Sequence, residues 1–224
     1  MKQLTEEHLS ILRRHMAEVI DIEYDLMSEE IGRGQLSDPL RRAILKVPRH
    51  LFVPPEIATI AYQDRPLPIG FDKTISQPFM SALMIDLLEL EPTDRVLEVG
   101  TGLGYQTALL AELAEEVWSI DVVEEFSDAA AARLRGLGYD NVSVRVADGT
   151  RGWPEAGPFD AVLISAAARQ LPGPLIGQMK PGGRLVLPLG DEGIQNLVQL
   201  RWDGAAQATI REIMNVRFTQ LETM

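Results

Sequence analysis

Residues 95–121 read RVLEVGTGLGYQTALLAELAEEVWSID, and this stretch decides the fold. Val96, Leu97 and Val99 make a short apolar run of strand type, and Gly100, Gly102 and Gly104 make a turn without side chains. Tyr105 to Ala114 then carries apolar residues at helical spacing, and Val117 to Ile120 is a second apolar strand closed by Asp121. Strand, glycine turn, helix and strand form the repeating unit of a parallel sheet. Such a turn lets a ligand approach bare backbone and aims the first N–H groups of the helix at it, while Glu98 and Asp121 set carboxylates at two strand ends.

The spacing selects the ligand. A dinucleotide fingerprint, G-x-G-x-x-G, needs its third glycine where Tyr105 stands, whereas the order here is G-x-G-x-G. An acid two residues ahead of the first glycine would repel a pyrophosphate and attract a sulfonium or ammonium group. The pattern E-x-G-x-G-x-G, from Glu98 through Gly100 and Gly102 to Gly104, therefore points to S-adenosylmethionine. Asp121, 21 positions after Gly100, stands where an acidic side chain can take both ribose hydroxyls. The competing readings are a nicotinamide or flavin site and a glycine turn that binds nothing.

Composition narrows the partners. The chain of 224 residues is long enough for one α/β core with an appendage. Its 33 acidic against 21 basic residues leave a net charge of −12, which repels phosphate backbones and anionic membranes, so neither nucleic acid nor a membrane is expected as partner. Without cysteine, disulfides, thiolate catalysis and cysteine-ligated metals are excluded. His8, His15 and His50 form no ligand pattern, so no metal site is expected. No stretch approaches the roughly 18 apolar residues of a membrane span, and Met1 to Ser10 lacks a signal-peptide core. A cytoplasmic monomer is the expectation.

Before the central unit, Leu4 to Leu26 reads as an amphipathic helix, with Leu9, Leu12, Met16, Val19 and Ile20 on its apolar stripe. Gly32 and Gly34 end that stretch, and Ser37 or Asp38 caps a second helix that Val47-Pro48 stops. Arg33, Arg41, Arg42 and Arg49 read as a solvated face, the other reading being a patch that an anionic peptide could use. Phe52 to Pro78 is too rich in proline for long elements, yet its apolar residues predict a loop packed on the domain, beside the binding turn. Pro78 reads as the first residue of a helix over Phe79 to Leu90. Thr74 to Gln77 then lie at a helix N-terminus, where free N–H groups favour an anion such as a substrate carboxylate. The other reading of Ser76 is a plain helix cap.

Beyond the central unit, helix Glu124–Leu137 and strand Asn141–Ala147 lead to Asp148-Gly149. Asp148 reads either as an acceptor for an adenine amino group or as part of an ordinary Asp-Gly turn. Strand Phe159–Ser165, a short helix over Pro172–Met179 and strand Arg184–Pro188 follow, and Leu197–Trp202 with Thr209–Phe218 reads as a closing antiparallel pair. The expected fold is α/β, a doubly wound, mostly parallel sheet with an N-terminal helical extension.

Four further segments carry a likeness: VPRHLFVP (47–54), PLPIGFDKTISQP (66–78), DGTRGWPEAGPFD (148–160) and KPGGRLVLPLG (180–190). With the central unit they closely resemble the protein-L-isoaspartate O-methyltransferases, from about Val47 almost to the C-terminus. The resemblance implies a Rossmann-like methyltransferase fold and methyl transfer from S-adenosylmethionine to the free α-carboxylate of L-isoaspartyl residues in damaged proteins. The ester then closes to a succinimide that returns some normal aspartate. It also implies that Ser76 is the active-site serine, with Glu98, Gly100, Gly102, Asp121, Asp148 and Gly149 at cofactor positions; Thr74 and Gln77, at the start of the Pro78 helix, are the expected substrate-binding residues beside it. Residues 1–78 would supply the substrate side and 79–224 the cofactor domain, in one compact unit. Two segments depart: Leu4–Leu26 does not align, and VRFTQL (216–221) replaces the family's V-x-F-V-P-L, which leaves substrate contacts at that end open. The alternatives are a relative that methylates aspartate side chains of particular peptides, and a cofactor-binding protein without turnover, which would have no need to keep TISQP. A carboxylate with a pKa near 3.5 is ionised at neutral pH and requires no general base, so the absence of His or Lys beside Ser76 is no objection. No G-x-S-x-G elbow, P-loop or metal motif competes.

Overall fold

The computed structural model describes residues 5–205 and 208–224; Leu4, where the helical period begins, lies outside them. Three helices come first, α1 (Glu6–Leu26), α2 (Ser28–Ile31) and α3 (Asp38–Lys46). The proline-rich segment holds two 3₁₀ turns and a small hairpin, β1 (Leu67–Gly70) with β2 (Lys73–Ile75). The alternating part runs α4 (Pro78–Asp86), β3 (Arg95–Val99), α5 (Tyr105–Ala111), β4 (Glu116–Asp121), α6 (Glu124–Gly136), β5 (Val142–Val146), β6 (Phe159–Ile164), α7 (Gly173–Ile176) and β7 (Met179–Asp191). Strands β8 (Ile194–Trp202) and β9 (Ala208–Val216) close the chain.

The seven long strands form one sheet in the order β5-β4-β3-β6-β7-β8-β9, parallel through β7 and antiparallel from β7 to β9. Each strand sends alternate side chains to opposite faces. On β3, Val96 joins the core formed with α1, α3, α4 and α5, while Leu97 and Val99 join Val162, Ile164 and Leu185 on the other face. The chain leaves β3 toward β4 on one side and returns beside β3 as β6 on the other. That reversal opens a crevice past the carboxyl ends of β3 and β6, the place where doubly wound sheets take ligands.

Element ends differ from the sequence period where side chains from elsewhere take the terminal carbonyls. Helix α4 stops at Asp86 rather than Leu90, because Gln199 Nε2 donates to the Leu87 carbonyl (2.6 Å) and Arg184 Nε to that of Leu88 (2.7 Å). Helix α5 ends at Ala111 rather than Ala114, with Asn141 Nδ2 donating to both of those carbonyls. Strand β7 takes in Met179–Gly183 through an irregularity in its pairing with β6. The N-terminal helix docks on α4: Tyr24 is fully buried, meets Phe79 edge-on at 5.8 Å, and donates to Asp86 Oδ2 at 3.3 Å.

Gly104, at φ +92°, starts α5, and a Cβ there would lie 3.2 Å from Ala130 Cβ and 3.3 Å from Leu134 Cδ1 of α6. Gly104→Ala combines a left-handed alanine with overpacking against α6, and we expect it to cost about 2–4 kcal/mol in denaturant unfolding. A loss below about 1 kcal/mol would show that α6 can retreat.

Candidate functional site

The Gly100–Gly104 turn lies over the crevice with all three glycines at positive φ. A Cβ on Gly100 would lie 3.3 Å from Ser165 Cβ at the end of β6, and one on Gly102 would lie 3.4 Å from Ile69 Cδ1 of the hairpin. Asp121 Oδ2 accepts from the Gly102 N–H at 2.8 Å and its Oδ1 from the Val123 N–H at 3.0 Å, so one carboxylate spans the two connections. Asp121 lines the cleft, and each of its oxygens keeps a second lone pair for a hydroxyl.

Glu98 sits differently from the expectation. Because side chains alternate along β3, Val99 faces the cleft and Glu98 points away from it, fully buried beneath α5. Its Oε2 accepts from Thr107 Oγ1 and Ser119 Oγ, each at 2.5 Å, and its buried Oε1 has no partner. Ser119 Oγ also meets Thr101 Oγ1 at 2.6 Å, so this polar cluster ties β3, β4 and α5 together under the turn. Burial raises the Glu98 pKa to about 7 against the two hydroxyl donors, which pull it down.

Asp148 forms the Asp-Gly turn. Its Oδ1 accepts from the Thr150 N–H (2.9 Å) and Thr150 Oγ1 (2.6 Å), which hold its pKa below the usual carboxylate range, and the side chain stays off the cleft wall. Gly149 does line the cleft, and a Cβ there would come within 2.3 Å of Val99 Cγ1, so only glycine fits.

The Ser76 segment is held from behind. The Ser76 hydroxyl is not the cap of α4: Asp64 is, with Oδ1 accepting from the Phe79 N–H at 2.8 Å and Oδ2 from the Gln77 side-chain amide. The helix N-terminus thus already holds an anion, and Gln77 is committed to it. Beside Asp64 lies Glu23 of α1, whose pKa rises to about 7 through burial and its hydrogen bond with that carboxyl. Arg49 is fully buried and no part of a solvated face; Arg33 and Arg41 pair with Asp86 and Asp21.

Two cavities meet at Ser76. The cleft over the glycine turn encloses about 900 Å³ out to its mouth, and a wider groove runs between the start of α4 and the β8–β9 side. Thr74, Ser76, Ser165 and Thr219 line both, whereas Gln77 lines only the groove. The C-terminal segment belongs here too: the Ala167 N–H donates to the Thr219 carbonyl (2.8 Å) and the Leu221 N–H to that of Ala167 (2.9 Å), which brings Thr219–Glu222 onto the cleft wall. Lys73 closes the mouth by pairing with Glu222. Sequence reasoning missed Ser81, Gln106 and Ser165, whose buried Oγ, Nε2 and Oγ line the cleft without a protein partner. Only Ser165, at the carboxyl end of an apolar strand, left a legible signal.

The family model for protein-L-isoaspartate(D-aspartate) O-methyltransferase matches residues 22–223. The chain belongs to that family. It is 48% identical over 219 residues to protein-L-isoaspartate O-methyltransferase 1 of Polaromonas sp. (strain JS666), covering 98% of this chain and 93% of that one. It is 44% identical over 210 residues to protein-L-isoaspartate O-methyltransferase 2 of Syntrophobacter fumaroxidans, covering 93% and 85%. A solved protein-L-isoaspartate O-methyltransferase shares 25% identity at a TM-score of 0.76, over 89% of this chain and 65% of that longer one. A Plasmodium falciparum structure in complex with S-adenosyl-L-homocysteine shares the fold, at 22% identity, TM-score 0.77, and 96% and 98% coverage. As a member of the family this chain is an O-methyltransferase, and its cofactor is S-adenosylmethionine. The residues present fit that group: side-chain-free backbone on one wall, Asp121 at the end of β4, and unpartnered polar atoms of Ser81, Gln106 and Ser165 within reach of a polar ligand.

The Glu98 pKa makes a prediction about stability. A carboxyl whose pKa is raised from 4.5 to about 7 on folding contributes stability that is fully present below pH 4.5 and is lost as pH rises through 7. Glu98→Gln removes that dependence, so the variant should gain on the parent by about 3 kcal/mol between pH 4.5 and pH 7.5 in urea unfolding. A parent-to-variant difference that stays flat over this range would mean that Glu98 is ionised throughout.

Proposed function

We propose that this enzyme methylates the free α-carboxylate of L-isoaspartyl residues in damaged proteins and peptides, with Ser76 orienting the carboxylate. The observation that carries the reading is the position of Ser76 on the wall common to the cofactor cleft and the open groove. S-adenosylmethionine supplies an electrophilic sulfonium methyl when it is bound. The chain's own work is geometric. Gly100, Gly102 and Gly104 bring backbone close to the cofactor, Asp121 accepts from the ribose hydroxyls, Gly149 leaves room at the far wall, and Glu98 holds the turn from below. Asp148 acts by shaping the Gly149 turn. Ser76 donates to one carboxylate oxygen and leaves the other free to attack, Thr74 lines the approach, and Gln77 keeps Asp64 in place.

The attacking group is ionised at neutral pH, so no proton need be removed, and the gain comes from holding two reactants in line. Such positioning can lower a barrier by about 7–11 kcal/mol in favourable cases. Residues 1–78 supply the substrate side and 79–224 the cofactor side. Because one chain builds both cavities, the working unit is taken as a monomer, and repair is assigned to the cytoplasm. The net charge of −12 favours protein over nucleic acid as substrate.

Methyl transfer to paired peptides that differ only in Asp against isoAsp tests the reading: the isoaspartyl peptide should be the substrate, and methylation of the aspartyl side chain instead would reassign the enzyme. Ser76→Ala should lower kcat about 10- to 1000-fold. Its stability should stay within about 0.5 kcal/mol of the parent, since the hydroxyl caps no helix. Turnover at the parent rate would pass the orienting role to Thr74 or to backbone groups. Asp121→Ala should weaken cofactor binding by about 2–3 kcal/mol in titration calorimetry, and unchanged affinity would make it a loop residue only.

A further inference from the structure

The VPRHLFVP segment places at its third position a guanidinium that the chemistry so far leaves unused. Arg49 is 0% exposed. Its Nε donates to the Ala61 carbonyl at 2.8 Å and its Nη2 to the Ser76 carbonyl at 2.7 Å, while Nη1 is buried without a partner. The group stacks over Tyr105, 4.7 Å from the ring centroid, and Tyr105 lines the cleft. Among the described residues no carboxylate pairs with it at ion-pair distance; Asp64 favours its charge only from farther off, against the burial that lowers its pKa. Burying a cation without a counter-ion is costly, and an apolar side chain of the same length would fill the space at less expense. Asp64, held at the start of α4, offsets only part of that cost from a distance, and an anion on the Ser76 wall would offset more.

We propose that Arg49 is a positioning residue for the substrate carboxylate: it fixes the Ser76 peptide and supplies the fixed positive charge toward which the carboxylate is drawn. The proposal rests on the carboxylate-methylating reading above. The other cations near Ser76 serve less well. Lys73 is paired with Glu222, and Arg217 on the groove is exposed, where water and salt screen it. Asp64 has filled the start of α4 with a negative charge, so the helix N-terminus does not replace Arg49. A buried charge acts through a lower dielectric than an exposed one and needs no contact with the anion to favour it over a neutral isostere.

The test compares the isoaspartyl peptide with the same peptide carrying an α-carboxamide, used as a competitive inhibitor. It is run on the parent, Arg49→Met, Arg49→Lys and Arg217→Met, with cofactor titration and thermal unfolding of each. Parent turnover on the isoaspartyl peptide is checked first, so failure of the functional reading would show before any variant is compared. In Arg49→Met the preference for acid over amide should fall about 10-fold or more, through a raised KM for the acid, with cofactor affinity within about two-fold. Arg49→Lys keeps the charge but loses the paired donors, so it should retain most of the preference while kcat falls, and it carries the test if the methionine variant does not fold. Equal weakening of acid and amide in the Arg49 variants would reduce Arg49 to a loop tie. Loss of the preference in Arg217→Met, with Arg49→Met unchanged, would give the role to Arg217. Either result overturns the proposal.

Discussion

Close backbone approach at the Gly100–Gly104 turn is the constraint on which the rest of the structure depends. Three surfaces converge there: Ser165 at the end of β6 and Ala130 with Leu134 of α6 leave a Cβ little room at Gly100 and Gly104, and Ile69 of the hairpin stands at contact distance from Gly102. Asp121 then stitches the turn to the next connection through the Gly102 and Val123 N–H groups. A cleft assembled this way has one wall of bare backbone, which a polar cofactor can approach without displacing side chains. The same closeness explains why the polar cluster of Glu98, Thr107 and Ser119 is fully buried, and why its carboxyl holds a proton more tightly than an exposed one would.

The substrate side is built on the opposite plan. It has no sheet beneath it, only a proline-rich segment suspended from α4 and α1. Asp64 grips the first turn of α4, Arg49 grips the Ser76 carbonyl, and Tyr24 seats α1 on Phe79. Ser76 is thus a surface residue with a buried scaffold, and its side chain is left unencumbered because other groups satisfy the backbone around it. The N-terminal helix, which the sequence motifs alone do not align, falls within the 98% of the chain matched to the Polaromonas relative and takes part in this scaffold through Tyr24 and Glu23.

The C-terminal segment keeps its place at the site through backbone bonding. Thr219 and Leu221 pair with Ala167 as a short parallel bridge, which puts Thr219–Glu222 across the cleft mouth whatever their side chains are. What the side chains add is local, above all the pairing of Lys73 with Glu222 between the hairpin and the tail.

The sequence by itself determined the alternation of strands and helices, the glycine turn and the ligand class, because these follow from periodicity and from the few residues that tolerate a bare, left-handed turn. It also located Ser76 and Asp121, through TISQP and through the acid that closes β4. Only the tertiary structure decided which charged residues are buried. Arg49 and Arg42 lie in the same stretch with the same side chain, yet one is sealed behind Ser76 and the other faces water. Glu98 likewise reads as a cleft residue in one dimension and turns out to face away, because strand parity gives the cleft to Val99. The cap of α4 comes from Asp64, which lies outside the local Ser-x-Pro pattern. Long-range packing sets such assignments, and no local pattern records which distant group will satisfy a buried donor or acceptor.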